Sequence, residues 1–141
     1  MTQQKETTAV RLLVEYIKGE GVEYVFGIPG GALINFYEAM FDLGGIKAVL
    51  ARHEGGAAFM AESHGKLTGK PGICFVTRGP GACNAAIGVH TAMQDSTPLI
   101  LLVGQVARDQ KGREAFQEID YCRMFGFPTA KWAVEIETPE E

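Results

Sequence analysis

The chain has 141 residues, 13 Lys and Arg against 17 Asp and Glu, and a formal net charge of −4. That length suits one domain spanning residues 1–141. The acidic balance, with no basic stripe, argues against a nucleic-acid surface, and no apolar run approaches the roughly 18 residues of a membrane span.

The polar start, Met1-Thr2-Gln3-Gln4-Lys5-Glu6, has no signal-peptide character. Thr7 or Thr8 is placed to cap a first helix through about Lys18, with Val10, Leu13, Val14 and Ile17 on one face. Val22 to Phe26 reads as a buried strand, and Gly27-Ile28-Pro29-Gly30-Gly31 as a tight loop. A second helix is expected from about Ala32 to Phe41, turning Leu33, Phe36, Tyr37 and Met40 inward, until Gly44-Gly45 breaks it. Ile46 to Leu50 is the next strand. A third helix, from about Glu54 to Leu67, carries Gly55, Gly56, Ala57, Ala58 and Ala61, small enough to press closely on a neighbour. Ile73 to Val76 is a strand, Arg78-Gly79-Pro80-Gly81 a second Gly-rich loop, and about Ala82 to Met93 a fourth helix. Pro98 opens the most apolar strand, Leu99 to Val103. Beyond Gly104 the pattern turns polar: a surface loop over 105–115, a short helix near Glu118 to Met124, a last strand at Ala130 to Ile136, and a frayed acidic end from Glu137 to Glu141.

Strands alternate with helices, and strands two to four lack period-two polarity. The expected fold is therefore a doubly wound α/β domain, a mainly parallel sheet of about five to six strands with helices on both faces. Such sheets bind ligands beyond the carboxyl ends of their strands. The unusual segments 27–31, 51–56, 77–81 and 104–117 all fall there, which points to one composite site.

Three of these segments carry chemistry. Gly27 to Gly31 joins a strand to a helix and has amides to offer a phosphate, but it matches neither G-x-G-x-x-G nor G-x-x-x-x-G-K-[ST]; alone it reads as a tight turn. Arg52-His53-Glu54 follows a buried strand and precedes tiny residues, which puts a carboxylate at the functional edge. A helix-start carboxylate that simply answers the dipole fits the same residues, and both readings stay open. Arg78 to Asn84 repeats the logic of the first loop, with Asn84 either a ligand contact or a turn residue, and Cys83 more in keeping with a buried small residue than a nucleophile. His53, His64 and His90 lack metal-ligand spacing, so no metal site is expected, and His64 and His90 read as ordinary helix residues. Three cysteines (Cys74, Cys83 and Cys122) are odd in number and far apart. They make no disulfide framework, and a cytoplasmic setting is expected.

Taken together, Val25-Phe26-Gly27-Ile28-Pro29-Gly30-Gly31-Ala32, Arg52-His53-Glu54-Gly55-Gly56-Ala57-Ala58, Gly72 to Asn84, Asp95-Ser96-Thr97-Pro98-Leu99, Gly104-Gln105-Val106 and Ala115-Phe116-Gln117-Glu118-Ile119-Asp120 resemble the N-terminal pyrimidine-binding domain of thiamine-diphosphate enzymes of the acetolactate synthase type. The pieces occur in order, with family-like spacing, over nearly the whole chain. The resemblance implies that Glu54 is the catalytic carboxylate, hydrogen-bonded to N1′ of the cofactor's aminopyrimidine and so governing proton removal from the thiazolium C2. It implies that Ile28, Gly30, Gly31, Pro80 and Asn84 lie at the cofactor, and that Ala32, Phe116 and Gln117 lie at a 2-keto acid substrate.

Departures from the family pattern bear on the substrate more than on the cofactor. Ile28 stands where acetolactate synthases often have Tyr, Arg78 replaces a small Ser, Cys83 replaces Thr, and Phe125-Gly126-Phe127-Pro128 differs from the usual continuation. The sequence also contains no Gly-Asp-Gly, the family's diphosphate and Mg2+ motif, and no central domain of the kind that carries FAD. The expectation is the thiamine diphosphate-binding domain of a 2-keto-acid carboligase or decarboxylase. It would hold the aminopyrimidine half only, need a diphosphate-binding domain or subunit, and self-associate. A pyrimidine-binding subunit of a two-chain decarboxylase and a non-catalytic stand-alone domain are the alternatives.

Overall fold

A computed structural model describes residues 8–138. Helix α1 (Ala9–Gly19) starts at Thr8, whose Oγ1 accepts the Arg11 amide at 3.2 Å, satisfying one of the amides a helix start leaves unpaired; Thr7, the other candidate cap, lies outside the described residues. The chain continues through β1 (Tyr24–Gly27), a 3-10 turn at Gly31–Leu33, α2 (Ile34–Leu43), β2 (Lys47–Leu50), α3 (Glu54–Thr68), β3 (Gly72–Thr77), α4 (Arg78–Asp95) and β4 (Leu99–Gly104). A second 3-10 turn (Arg108–Gln110) and the short α5 (Tyr121–Met124) follow.

All four strands are parallel, in the order β2-β1-β3-β4. The chain moves outward from β1 to β2, crosses back over β1, and continues outward through β3 and β4. Direction therefore reverses between β1 and β3, and a crevice opens at their carboxyl ends. Helices cover both faces of the sheet. Alternate residues of β3 serve two separate cores, as strand geometry requires. Ile73 and Phe75 join Val14, Ile17, Val25, Phe36 and Met40 of the α1–α2 side. Cys74 and Val76 join Ala57, Ala58, Ala61, Ala82, Ala85 and Val89 of the α3–α4 side. The second core is built from small side chains because α3 and α4 run close together. A Cβ at Gly88 would stand 2.6 Å from the Ala58 Cβ, so only glycine fits there.

Three expectations are corrected. The sheet has four strands and not five to six, because 130–136 joins no ladder. That segment runs without regular structure, with Trp132, Val134 and Ile136 exposed, while Lys111 ties down Glu135 and Glu137 at 2.9 Å each. The Gly-rich segment 78–81 is not a loop but the first turn of α4. Proline is tolerated there, since first-turn amides have no intrahelical partner to lose. The short helix expected over 118–124 is confined to Tyr121–Met124. The acidic end expected to fray lies, from Pro139 onward, outside the described residues.

The two kinds of helical glycine separate experimentally. Gly88→Ala should cost about 1–3 kcal/mol through overpacking. Gly56→Ala, where an added Cβ meets nothing within 4 Å, should stabilise by about 0.5–1 kcal/mol through reduced freedom of the unfolded chain. Urea denaturation of both variants measures the difference, and equal effects would contradict the packing described.

Candidate functional site

Glu54 is the first residue of α3. The preceding His53 caps the helix, its Nδ1 accepting the Gly55 amide at 3.0 Å. Asn84, nearly two turns into α4, donates from Nδ2 to Glu54 Oε2 at 2.9 Å. The carboxylate is half-buried and lies beside Gly81, where an added Cβ would stand 3.7 Å from Oε1 and 3.1 Å from the Val76 Cβ. Oε1 accepts no hydrogen bond from a described residue, so the group keeps one free acceptor. Its field reaches the strand below. Burial first, and the Glu54 charge second, push the Cys74 thiol up to about 12.

The other expected residues gather on the same sheet edge, around the end of β3. Gly30 rests on Thr77, where a Cβ would come within 2.2 Å of the Thr77 Oγ1. That hydroxyl is buried and has no hydrogen-bond partner among the described residues, a condition that costs about 1–3 kcal/mol unless another group satisfies it. Ile28 is half-buried, and Gly31 is exposed at the start of the 3-10 turn. Ala32 packs on Gly104, its Cβ 2.6 Å from where a Cβ there would stand. Pro80 is exposed in the first turn of α4. Phe116 and Gln117 lie on the 112–118 loop, which is pinned to that turn. Arg78 Nη1 donates to the Phe116 carbonyl at 3.1 Å, and the Gly79 amide donates to the Gln117 carbonyl at 2.9 Å. No hydrogen bond joins Glu54 directly to the 27–31 loop or to residues 116 and 117; these elements meet through the segment 77–81.

Cys83 is exposed, which corrects the expectation of a buried small residue. It sits on the flank of α4 turned away from the small-residue core. His64 packs its ring near those of Tyr24 and Phe26, and His90 is exposed, both as ordinary helix residues. Among the described residues no group of His, Cys, Asp or Glu is gathered for a metal, and no helix is long and apolar enough to cross a membrane. Three features were not legible as motifs: the unpartnered Thr77 hydroxyl, the left-handed backbone of Arg78, and the buried Glu62. Glu62 accepts from Thr97 at 3.2 Å and pairs with Lys66 at 3.1 Å. Of these, only the Glu62–Lys66 pair leaves a trace in the sequence, as an i,i+4 spacing.

Two hollows in the surface do not enclose Glu54. One, of about 800 Å3, runs along α2 and β2 past Tyr37, Phe41 and Ala48. The other, of about 510 Å3, borders Pro29, Gly30, Gly31 and Ile34. The Glu54–Asn84 pair stands outside both, on an open face.

The cysteines give a direct check of this environment. Iodoacetamide at pH 8 should modify exposed Cys83 readily and leave Cys74 untouched until the chain is unfolded, because the thiolate is the reacting form. Peptide mass spectrometry reads both sites, and early labelling of Cys74 would contradict its burial beside Glu54.

Residues 7–124 match the family described as thiamine pyrophosphate enzyme, N-terminal TPP binding domain. The chain is 42% identical over 139 residues to the acetolactate synthase large subunit of Haemophilus influenzae, covering 97% of this chain and 24% of that protein. It is 45% identical over 117 residues to the acetolactate synthase large subunit of Lactococcus lactis, covering 83% and 20% respectively. It is 42% identical over 136 residues to the acetolactate synthase isozyme 3 large subunit of Escherichia coli, covering 95% and 23%. The chain thus spans about a quarter of the length of the curated relatives it matches.

Proposed function

The chain belongs to the family of N-terminal thiamine pyrophosphate-binding domains of acetolactate synthase-like enzymes, and from that premise we propose that its Glu54 is the proton-controlling carboxylate for the aminopyrimidine ring in a 2-keto-acid carboligase or decarboxylase. The observation that carries this reading is the Glu54–Asn84 pair. One carboxylate oxygen is held by an amide, and the other is left as an acceptor beside Gly81.

The residues fit such a ring. Gly81 leaves the carboxylate unobstructed, and Gly31, where an added Cβ would meet nothing, is exposed at the same sheet edge. Thiamine diphosphate, when bound, supplies the carbon acid whose deprotonation yields the nucleophile for a 2-keto acid. Glu54 Oε1 would hold a proton at the ring nitrogen N1′, Asn84 would fix the carboxylate's orientation, and Pro80 and Ile28 would border the ring. Ala32, Phe116 and Gln117 would face the substrate. The diphosphate and its Mg2+, and FAD where one is used, fall to other domains, since the chain has no Gly-Asp-Gly. A cytoplasmic setting goes with the three free cysteines.

A further observation favours a partner across the open face. Ile87 lies one turn beyond Asn84, and Phe59 and Met60 lie one turn beyond Gly56. They are 59%, 37% and 43% exposed; i,i+3 geometry places Ile87 beside Asn84 on α4, and Phe59 and Met60 stand exposed on the adjoining helix α3. A diphosphate-binding domain, or a second copy bringing one, would cover these side chains and exclude water from Glu54.

Two outcomes test the reading. In an assembly reconstituted with a diphosphate-binding domain, Glu54→Gln should slow deuterium exchange at the thiazolium C2 by about 10²–10⁴-fold, followed by proton NMR; unchanged exchange removes Glu54 from the mechanism. Ile87→Glu should leave the melting temperature of the chain unchanged while weakening its association by at least about tenfold, since a charge is costly to bury unpaired. Sedimentation equilibrium measures the second effect, and unaltered association would place the interface elsewhere.

A further inference from the structure

Four non-glycine residues among those described have left-handed backbone: Arg78 (φ 49°), Ser96 (φ 55°), Glu114 (φ 54°) and Gln117 (φ 66°). Ser96 closes the end of α4, a place where this conformation is ordinary. Of the other three, Arg78 and Gln117 stand at the contact between the first turn of α4 and the 112–118 loop, and Glu114 lies within that loop. Residues held in such backbone carry a steric cost that glycine does not, and they persist where the surroundings over-determine them. A glycine at position 78 would be the least costly residue for the backbone. An arginine there is explained by what its side chain does.

What it does is hold the loop. Arg78 Nη1 reaches 38 residues along the chain to the Phe116 carbonyl at 3.1 Å. The neighbouring Gly79 amide takes the Gln117 carbonyl at 2.9 Å, and a Cβ on Gly79 would collide with that oxygen at 2.9 Å and with the Ile119 Cδ1 at 2.9 Å. The loop is already folded on itself. The Glu118 carboxylate accepts the Gly112 amide at 2.5 Å and the Ala115 amide at 3.0 Å, and these bonds hold its carboxyl below the usual range. Tyr121 adds its hydroxyl to the Gln117 carbonyl at 3.4 Å. Glu118 thus shapes the loop, and Arg78 and Gly79 dock it. The result is an exposed aromatic ring, Phe116, 76% accessible, standing at the same sheet edge as Glu54.

We propose that Arg78 is a positioning residue that sets substrate specificity: its strained backbone is retained so that its guanidinium can hold the 112–118 loop against α4 and fix where Phe116 and Gln117 meet the substrate's apolar portion. The part concerning substrate rests on the function proposed above; the part concerning the loop does not.

The test uses Arg78→Gly and Arg78→Lys in the 141-residue chain, followed by amide hydrogen exchange and thermal melting. Arg78→Gly should melt at or above the temperature of the parent chain, because the backbone strain is relieved. Its amides over 112–117 should nevertheless exchange about ten- to a hundredfold faster, the factor expected for loss of a hydrogen bond from a charged donor. Arg78→Lys keeps the charge and the strain but not the planar fork, and should fall between. Unchanged exchange at 112–117 in Arg78→Gly overturns the proposal, and so does a lowered melting temperature with faster exchange throughout the chain. In the reconstituted assembly, Arg78→Gly should leave C2 deuterium exchange within about twofold of the parent, because proton control sits with Glu54, while the kcat/KM ratio between small and bulky 2-keto acids shifts. Collapse of C2 exchange with no change in that ratio also overturns it. If neither protein processes any 2-keto acid, the proposed function fails while the loop result stands on its own measurement.

Discussion

Between Thr77 and Gly81 the chain leaves buried β3 and enters α4, and three neighbouring segments touch it where side chains are absent or small. Gly30 rests on Thr77, the 116–117 carbonyls dock on Arg78 and Gly79, and Glu54 lies against Gly81. At Gly30 and Gly79 the approach is closer than a β-carbon would allow, while a β-carbon at Gly81 would meet Glu54 at an ordinary 3.7 Å. The order of the strands makes this the meeting point, because β3 is the inner strand next to the reversal of chain direction. The close approach therefore does two things at once. It brings segments far apart in sequence to one edge, and it leaves glycine where they meet, so that no side chain on Gly30, Gly79 or Gly81 stands between them.

Helix α3 carries two carboxylates whose surroundings assign them different work. Glu62 is buried, and its Oε1 serves both Lys66 and Thr97. Lys66 also reaches Asp95 at 2.6 Å, tying α3 to the end of α4. A buried charge with partners of this kind is committed, since removing any of them leaves an unpaired group in a poorly solvated place. Glu54 has a single amide partner and an open oxygen. Its partner is uncharged, so no ion pair has to be broken before it engages another group. That difference, and not the presence of a glutamate at a helix start, singles out Glu54.

The fold was legible where local chemistry and global packing agree. Thr8 before an apolar stripe, glycines after helix ends, and continuous apolar runs in β1 and β3 all point one way, and element order follows. The sequence misleads where one residue type serves two purposes. Gly79, Pro80 and Gly81 look like a loop, yet proline is at ease in a first helical turn and the glycines are there for contact. Residues 130–136 alternate like a strand, but alternation describes a face and cannot supply a ladder partner; here Lys111 pairs with Glu135, and Lys111 and Arg108 hold Glu137 just beyond. Glu54 and Asn84 were legible as candidates, and their hydrogen bond was not, because it depends on how closely α3 and α4 approach. The same holds for Arg78, whose backbone conformation leaves no mark in residue identity.

An open carboxylate also sets a requirement on what must lie opposite. The hydrogen bond between Glu54 and Asn84 is reached by solvent, where charges are screened and a proton-sharing contact is weakened by competing water. Holding a proton on a ring nitrogen is far more effective where water is excluded, since fixed dipoles then act at low dielectric. On the proposed function, the Glu54–Asn84 pair is the floor of such a site, and Phe59, Met60 and Ile87 are exposed apolar side chains on the same two helices. No described residue covers them. On the reading proposed here, the surface that covers those three side chains is the same one that dries the carboxylate, so that docking and activation of Glu54 are one event and not two.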